Sequence, residues 1–543
     1  MHTIPSLPNA PNAIAGTVPY QRDFGVGPVD FRRVWAGDEL CLRLISDSET
    51  LQARLHTDLC DEPVPFVDTG NGALEACVPC PENGRFHARV AFCDDGETWL
   101  WDPEPASYIL VLPKRRRSVR VYTLIPTVSG NISDWIAKLP GIRDLGFNTV
   151  HLLPVTQMDL SQSPYSARDL FRVDPGYHDP DAPGDVDEQF ERFIDALESH
   201  ELALCVDLVL NHVGTRSLLA QQRPDWLMTD AEEDDGIKRA GWSDGTHWYK
   251  WGDLALVDYD CPFADSREAL WETMYLYAQL WGERAARTGG MIRLDNLHSS
   301  HPTFTAATLD RLRAEFPNLL FLGELFAMPD QLAESVWEFG LNLLLATPWE
   351  HPFVPELRRY FRYLHEQHER WQYFVPLTSH DSGAPAQEFG SPASAVPRFA
   401  FSALCGSGHT GATQGSEFGI NERLDFIGIK PPRPIETGLD FRDEIRRINQ
   451  LVDSEPAFNG TGNLRFIDED HHAVTVAWRT APEGHDDFIV LCNFDIHRPQ
   501  HIRLRLGEEL SIEDALEGGR LRIGPEYELT LPPCGVRVWR LSK

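Results

Sequence analysis

Hydrophobic and polar residues alternate strictly near both ends of the chain. Residues 39–45 and 86–92 place apolar side chains at every second position, which is typical of strands with one buried face. Residues 473–478 and 488–492 return to short strand-like runs close to the other end. Gly, Pro and Asp separate these runs, as expected at tight turns. The pattern therefore predicts two flanking β-sandwiches, whose residues are 1–116 and 455–543.

The middle of the chain has a different pattern, in which continuous apolar runs alternate with helical periodicity. Such runs are typical of parallel strands that are buried on both faces. They cover residues 119–124, 149–153, 202–210, 291–294, 319–322 and 375–378. Helical periodicity lies between them, for example over residues 135–145 and 268–287. Regular alternation of strand and helix predicts a (β/α)8 TIM barrel over residues 117–454.

One long segment inside the predicted barrel has no clear period. Residues 213–263 are rich in Asp, Gly and Trp and follow the third apolar run. Structureless segments of this length usually carry function in compact domains. We therefore predict an inserted loop or subdomain here.

The charge of the chain limits its partners. Lys and Arg number 49 against 82 Asp and Glu, which gives a net charge of −33 in 543 residues. A field of this sign repels nucleic acids and anionic membrane surfaces, whereas it leaves a neutral ligand such as a glucan unaffected. The basic run at residues 114–117 is predicted to be a solvated linker. We expect neither nucleic-acid nor membrane binding, and the sequence does not predict an oligomeric state.

The cysteines and the first residues favour a cytoplasmic protein. Ten cysteines are scattered over the chain, which predicts reduced, mostly buried thiols and no disulfide framework. Residues 1–17 have neither a basic nor a continuous apolar segment of the kind found in secretory signals. Cys77 with Cys80, and His298 with His301, have spacings seen in metal sites, but no second pair accompanies either. No cofactor is predicted to be required.

Acidic residues follow four of the predicted barrel strands. In (β/α)8 barrels, catalytic groups lie at the C-terminal ends of several strands. The four carboxylates at such positions are Asp207, Asp295, Glu324 and Asp381. Glycoside cleavage with retention of the anomeric configuration uses a carboxylate nucleophile and a carboxylic acid about 5–5.5 Å apart. Residues at the ends of successive parallel strands are suited to that arrangement.

Neighbouring residues assign provisional roles to two of these carboxylates. Arg293 and Asp295 are two positions apart on one strand, so their side chains point the same way, and the guanidinium is expected to keep Asp295 ionised. Apolar residues flank Glu324, namely Leu322, Leu325 and Phe326, and are expected to raise its pKa. Asp295 is thus predicted to be the nucleophile and Glu324 the general acid/base.

The four segments, in this order, resemble the four signature regions of the α-amylase superfamily. The resemblance covers about residues 117–450 and implies Asp381 as the third catalytic carboxylate. The segment around Tyr165 is similar to the one whose tyrosine stacks on the sugar at the cleavage site, with Asp169 as a structural companion. The substrate-binding residues that the resemblance implies are Tyr165, Asp207, His212, Arg293, His298 and His380. The substrate it implies is an α-glucan or a maltooligosaccharide.

Within this superfamily, residues 293–299 and 323–326 look most similar to the transferase half of glycogen debranching enzymes. This similarity favours a 4-α-glucanotransferase that disproportionates maltooligosaccharides or glycogen through a covalent glycosyl-Asp intermediate. Amylases, however, carry a basic residue and a histidine where this chain has His298 and Ser299. Three alternatives remain: an amylase that uses water, a maltosyltransferase that uses phosphate and shares the Asp-Asn-x-His pattern at 295–298, and a non-catalytic glucan-binding barrel.

Calcium and the aromatic residues of the insertion are two further open questions. Many superfamily members bind calcium near the position of Asn211, and three carboxylates that follow in the chain offer hard oxygen ligands. These are Asp253, Asp258 and Asp260. Four aromatic residues of the insertion either pack in a core or stack on glucose rings. These are Trp242, Trp248, Tyr249 and Trp251.

Overall fold

The computed structural model describes residues 13–113, 118–243, 246–467 and 470–541. The basic run at 114–117 lies outside these residues, and so does the side chain of Trp248. Two β-rich regions flank a central barrel. The fold class predicted from the sequence is confirmed.

Ten strands form the described part of the N-terminal region. They are β1 Gln21–Arg22, β2 Gly27–Trp35, β3 Glu39–Ile45, β4 Gln52–Thr57, β5 Val64–Pro65, β6 Val67–Gly70, β7 Ala73–Pro79, β8 Gly84–Cys93, β9 Leu100–Trp101 and β10 Ser107–Leu112. The sheets have the orders β1-β3-β7-β6 and β2-β10-β8-β4-β5, and β9 pairs with β8. Strand β3 alternates between exposed and buried residues along its whole length, and Leu40, Leu42 and Leu44 enter the core between the sheets. Period-two patterning therefore predicts this region correctly.

The prediction that the cysteines are reduced is wrong for one pair. Cys41 and Cys77 are directly opposite each other on β3 and β7 and form a disulfide, with their Cα atoms 4.1 Å apart. Both lie on the exposed face of their strands, whereas Cys80 is a buried free thiol. The pairing depends on strand register, which composition and spacing do not reveal.

The central region contains the barrel strands and two small sheets. Its strands are β11 Arg120–Leu124, β12 Thr149–Leu152, β13 Thr156–Met158, β14 Ala167–Val173, β15 Ala203–Leu208, β16 His212–Gly214, β17 Arg239–Ser243, β18 Trp248–Leu256, β19 Met291–Leu294, β20 Leu320–Gly323, β21 Leu343–Leu345, β22 Gln372–Pro376 and β23 Thr410–Thr413. Its helices are α1 Ile132–Asp144, α2 Val186–Ser199, α3 Leu218–Gln222, α4 Ala264–Arg287, α5 Pro302–Glu315, α6 Pro329–Phe339, α7 Val354–Glu366, α8 Pro385–Phe389, α9 Ala395–Cys405 and α10 Arg442–Ser454.

Eight parallel strands close the barrel in the order β11-β12-β15-β19-β20-β21-β22-β23. Strand β23 pairs with β11 and completes the ring. Apolar side chains fill its interior, among them Val121, Met291, Leu322 and Phe374. The barrel is thus a packed core, and the loops after its strands build the face that carries the predicted site.

The insertion at residues 213–263 is more ordered than its sequence predicts. Strands β16, β18 and β17 form a three-stranded antiparallel sheet in that order. Arg239 is opposite Ala255, whereas Gly241 is opposite Lys250, so four residues of β18 face one residue of β17. This wide bulge interrupts the period-two pattern, and for that reason the strands are not visible in the sequence.

The C-terminal region is a second β-rich unit. Its strands are β24 Leu464–Ile467, β25 Val474–Arg479, β26 Asp487–Asn493, β27 Gln500–Arg505, β28 Leu510–Asp514, β29 Arg520–Ile523, β30 Glu526–Leu531 and β31 Val536–Leu541. They form sheets with the orders β24-β25-β26-β31-β28-β29 and β27-β30. No helix in the described part of the chain is long and apolar enough to cross a membrane.

The buried side chain of Arg479 joins this unit to the barrel. From β25 it donates hydrogen bonds to the carbonyl oxygens of Ala457, Gly460 and Gly406, the last of which directly follows α9. The residue is fully buried, and burial lowers its pKa to about 10. The interface between the two units thus contains a cation that is bound by main-chain oxygens.

Candidate active site

Arg293 lies at the centre of the carboxylates that the sequence predicts. Its Nη1 is 2.7 Å from both carboxylate oxygens of Asp207 and 3.1 Å from Oδ1 of Asp295. Its Nη2 is 2.8 Å from Oε2 of Glu324 and 3.9 Å from Oδ2 of Asp381. The four segments are therefore brought together, and one guanidinium contacts all four acidic side chains.

Asp207 makes the shortest contacts with this guanidinium, through both of its carboxylate oxygens. Burial opposes its ionisation, but Arg293 and His151 hold the pKa of Asp207 well below its ordinary value. His151 Nε2 lies 3.3 Å from Asp207 Oδ2, and burial lowers the pKa of this histidine. Sequence reasoning missed His151, whose signal is a titratable residue inside an otherwise apolar barrel strand.

Asp295 is less well paired than its spacing from Arg293 predicts. Burial raises the pKa of Asp295 well above its ordinary value, and the carboxylates of Glu324, Asp207 and Asp381 raise it further, whereas Arg293 lowers it. The expectation that Arg293 keeps the pKa of Asp295 low is thus not met. The reason is that a single cation is shared by four carboxylates, and its shortest contacts are with Asp207 and Glu324.

Glu324 occupies a polar position, although its sequence neighbours are apolar. Its Oε2 accepts hydrogen bonds from Arg293 and from the main-chain N–H of Asn296, which lies 2.9 Å away. Leu325 is buried and Phe326 is turned towards solvent, so neither apolar neighbour isolates the carboxylate from these donors. Asn296 adopts a left-handed conformation with φ 45°, which aims its N–H at Glu324.

Asp381, His380 and Tyr165 form one side of the site. His380 Nε2 lies 3.0 Å from Asp381 Oδ2 and 2.5 Å from the hydroxyl of Tyr165, which donates to Asp207 at 2.9 Å. Burial opposes ionisation of Asp381, but His380 and Arg293 keep the pKa of this carboxyl low. The Tyr165 ring is nearly parallel to that of His380, with centroids 5.9 Å apart. Asp169, in contrast, lies on β14, and its carboxylate accepts a hydrogen bond from the N–H of Phe171.

The loop after β23 adds two residues that sequence reasoning missed. The ring of Phe426 lies edge-on to Tyr165 and His380, with centroids 6.1 and 5.9 Å away. Arg423 donates to the carbonyl oxygen of Asp381 at 2.7 Å and lies over the Phe426 ring. This loop has no periodicity in the sequence, so only the folded chain reveals its contact with the site.

His212 and Asn211 have buried polar side-chain atoms, and the main chain of Tyr165 approaches the imidazole of His212. Both residues are buried, and neither side chain has a hydrogen-bond partner among the described residues. Burial lowers the pKa of His212 to about 4, so its imidazole is neutral at physiological pH. Trp251 lies beside it, with ring centroids 6.4 Å apart. These atoms are available to a ligand's hydroxyl groups.

His298 lies on the Glu324 side of the site. It is exposed, and its ring is 5.8 Å from that of Phe326, which is itself 49% exposed. Burial of part of the imidazole lowers its pKa, so the ring is neutral near pH 7. His298 thus lines an open edge next to the expected acid/base.

The residues named for calcium do not form a cluster of acidic ligands. Among the described residues, only Cys41, Glu75 and Cys77 bring three such ligand atoms together, and two of these form the disulfide. Asp260 instead pairs with His301, at 3.2 Å. Calcium binding therefore remains a prediction from resemblance.

The fold and site define a (β/α)8 barrel whose strand ends carry a carboxylate cluster suited to glycoside chemistry. Residues 114–231 match the family model described as the glucanotransferase domain of glycogen debranching enzyme. The chain has the same fold as an α-amylase from Geobacillus thermoleovorans, with a TM-score of 0.62, 16% identity, and coverage of 79% of this chain and 100% of that one.

Curated relatives extend the similarity beyond the barrel. An alpha-1,4-glucan:maltose-1-phosphate maltosyltransferase of Cereibacter sphaeroides is 22% identical over an alignment 469 positions long, which covers 77% of this chain and 65% of that protein. The protein of the same name from Myxococcus xanthus is 21% identical over an alignment of 439 positions, which covers 73% of this chain and 62% of that protein. The chain thus spans slightly less than two thirds of these relatives. It is an enzyme of the α-amylase superfamily of glycoside hydrolases and glycosyltransferases.

Proposed function

We propose that the chain is a retaining maltosyltransferase that transfers maltosyl units from an α-maltosyl phosphate to the end of an α-1,4-glucan. The observation that carries the retaining mechanism is the shared contact of Arg293 with Asp295 and Glu324 on adjacent barrel strands. The choice of donor is supported by the relatives, which are named for this reaction.

In the first step, a carboxylate oxygen of Asp295 attacks C1 of the sugar and the bond from C1 to the phosphate oxygen breaks. Glu324 supplies a proton to the departing phosphate. The product is a covalent β-maltosyl ester of Asp295. In the second step, the 4-hydroxyl of the acceptor glucan attacks C1 from the opposite face, Glu324 takes its proton, and Asp295 is released as a carboxylate. The sum is a glucan longer by one maltosyl unit, plus inorganic phosphate.

Several carboxylates surround the single guanidinium of Arg293, and this excess of negative charge gives a physical reason for transition-state stabilisation. The carboxylates repel one another, as the raised pKa of Asp295 reflects. The transition state carries positive charge near C1, so it relieves that repulsion at the moment of bond cleavage. Preorganised negative charge therefore stabilises the positively charged sugar ring of the transition state more than the uncharged ring of the ground state.

Other residues bind the sugar and the leaving group in this proposal. Tyr165, His380 and Asp381 hold the maltosyl unit, whose hydroxyls also meet His212. The amide nitrogen of Asn296 is buried without a hydrogen-bond partner among the described residues, next to Glu324. It can donate to a phosphate oxygen, and His298 lies on the same side.

A 4-α-glucanotransferase is the second candidate, because the matched family model describes a glucanotransferase domain. The same carboxylates would act, but the donor would be a glucan and the leaving group a sugar hydroxyl. The two candidates differ only in what occupies the Glu324 side of the site.

Incubation of the purified protein with maltoheptaose, with and without inorganic phosphate, separates the candidates. A maltosyltransferase run in reverse shortens the glucan by two glucose units and forms a sugar phosphate only when phosphate is present. A ladder of longer and shorter oligosaccharides without phosphate would instead establish glucanotransfer, and glucose with maltose alone would establish hydrolysis. Glucan binding without any turnover would make the protein a non-catalytic barrel. The Asp295→Asn variant is the control for contaminating activities.

A further inference from the structure

Two aromatic side chains lie side by side near the end of the β17–β18 hairpin. Trp242 and Tyr249 are opposite each other in the strand register, and their rings stack with centroids 4.6 Å apart and planes 17° apart. Cross-strand stacking of this kind stabilises a hairpin. We refer to these two residues as the aromatic pair.

The aromatic pair remains in contact with water despite this stacking. Trp242 is 47% exposed and Tyr249 44% exposed, whereas Tyr259 and Trp226 of the same insertion are buried. Burial of apolar surface of this kind is favourable in water. Considerable apolar area is thus available to a ligand.

The bulge in β18 connects the aromatic pair to the catalytic face. The bulged residues are 251–254, and among them Trp251 lies against His212 of the site. The carbonyl oxygen of Asp253 accepts hydrogen bonds from the N–H of Thr215 and the hydroxyl of Ser166, which is adjacent to Tyr165. The hairpin therefore rises from the wall of the active site, and the pair lies two residues beyond Trp251.

The charges near the pair determine which ligand can bind there. Residues 230–235 contain five carboxylates, and Glu233 of this segment pairs with Lys250, next to Tyr249, at 2.7 Å. Asp235 pairs with Arg239 at the base of β17. An acidic surface repels phosphates and anionic lipids, but its carboxylates accept hydrogen bonds from hydroxyl groups. A neutral polyol with apolar ring faces meets both requirements.

We propose that Trp242 and Tyr249 form a binding platform for an α-glucan chain whose end enters the catalytic site. This inference rests on the proposed function only in taking α-glucan as the substrate, and it holds for either transferase candidate. The sugar rings lie against the exposed aromatic surface, and their hydroxyls face the acidic segment. The platform therefore acts on long chains and has no effect on ligands that fill only the site around Arg293.

Binding of maltoheptaose and maltotriose tests the platform. The double variant Trp242→Ala/Tyr249→Ala is compared with Leu276→Ala, which removes an equally exposed apolar side chain (45%) from the outer surface of α4. Both are made in the Asp295→Asn background, so that the ligands are not consumed during calorimetric titration. We expect the double variant to weaken maltoheptaose binding about five- to tenfold and maltotriose binding less than about twofold. Leu276→Ala should alter neither.

The conservative variant Tyr249→Phe keeps the ring and should bind maltoheptaose about as well as the parent. An equal loss of affinity for both ligands would overturn the proposal, because it would show that the substitutions distort the site through Trp251. Unchanged maltoheptaose affinity would also overturn it. If sedimentation then shows that the double variant loses a dimer, the pair is instead an interface between copies of this chain. If the parent binds no α-glucan at all, the proposed function itself fails.

Discussion

Arg293 is the residue on which the charge of the site depends. It contacts Asp207 through both carboxylate oxygens and reaches Glu324 and Asp295 with single contacts. One cation serves several buried acids, and for one of them burial and the neighbouring carboxylates together outweigh its effect on the pKa. That acid is Asp295, the expected nucleophile. The residue that catalysis requires therefore also lowers the stability of the folded protein.

Replacement of Asp295 by Asn should abolish turnover and stabilise the fold. Loss of the nucleophile is expected to lower kcat by about 10⁴-fold or more. A raised pKa in the folded state means that the folded protein binds the proton more tightly, so Asp295 costs stability as pH rises from its ordinary pKa to the raised value. The amide removes this cost, and at neutral pH the melting temperature should rise by about 2–4 °C. Undiminished turnover in a pure variant would exclude Asp295 as the nucleophile.

The acid limb of the pH profile should report on Asp295. The nucleophile must be ionised, so kcat/KM should fall as pH decreases through its raised pKa. Asp207→Asn removes a carboxylate that raises the pKa of Asp295, and it also frees Arg293 to interact more strongly with Asp295. The acid limb of the residual activity should therefore move to lower pH. A carboxyl-carbon NMR titration of Asp295 provides the same comparison without turnover. Asp169→Asn, whose carboxylate accepts a hydrogen bond from the main chain of Phe171, is the control, and an equal shift of the limb in that variant would contradict the role given to Asp207.

At the scale of elements, two glycines with opposite surroundings allow a paired prediction. A Cβ at Gly290, just before β19, would lie 1.9 Å from the carbonyl oxygen of Leu204, whereas one at Gly141 in α1 would meet nothing within 4 Å. Gly290→Ala must therefore separate β19 from β15, at a cost of about 3 kcal/mol or more. Gly141→Ala should stabilise the helix by about 0.5–1 kcal/mol. Denaturant titration measures both, and similar effects at the two positions would contradict the packing described here.

The elements that sequence reasoning predicts well are those with a local pattern. Runs such as 291–294 are apolar throughout because both of their faces are buried, and the acids that follow them therefore stand out. Strand β21, by contrast, has only three residues, and β17 and β18 pair across a wide bulge. None of these three strands therefore has a detectable period in the sequence. The contact of Phe426 with Tyr165, and the opposition of Cys41 and Cys77, depend on tertiary placement that no local pattern encodes.

At the scale of the whole molecule, Arg479 couples the barrel to the C-terminal unit. Arg479→Met would leave the carbonyl oxygens of Gly406 and Gly460 without this donor inside a closed interface, and that of Ala457 with only its bond from Asn463. We expect the free energy of unfolding to decrease by about 2–4 kcal/mol, part of the loss being offset because a buried charge is removed. Arg479→Lys, which keeps the charge but cannot reach all three oxygens, should lie between the two proteins. An unchanged unfolding midpoint for the methionine variant would show that the interface does not depend on these bonds.

The shortage of positive charge around Arg293 also has a pharmacological consequence. A sugar analogue with a protonated nitrogen near C1 would act as the counterion that the protein itself does not supply. Such iminosugars should bind more tightly than neutral sugars of the same shape, and added salt should weaken their binding by screening. Because the field that attracts them also raises the pKa of Asp295, their inhibition should strengthen as pH rises towards neutrality.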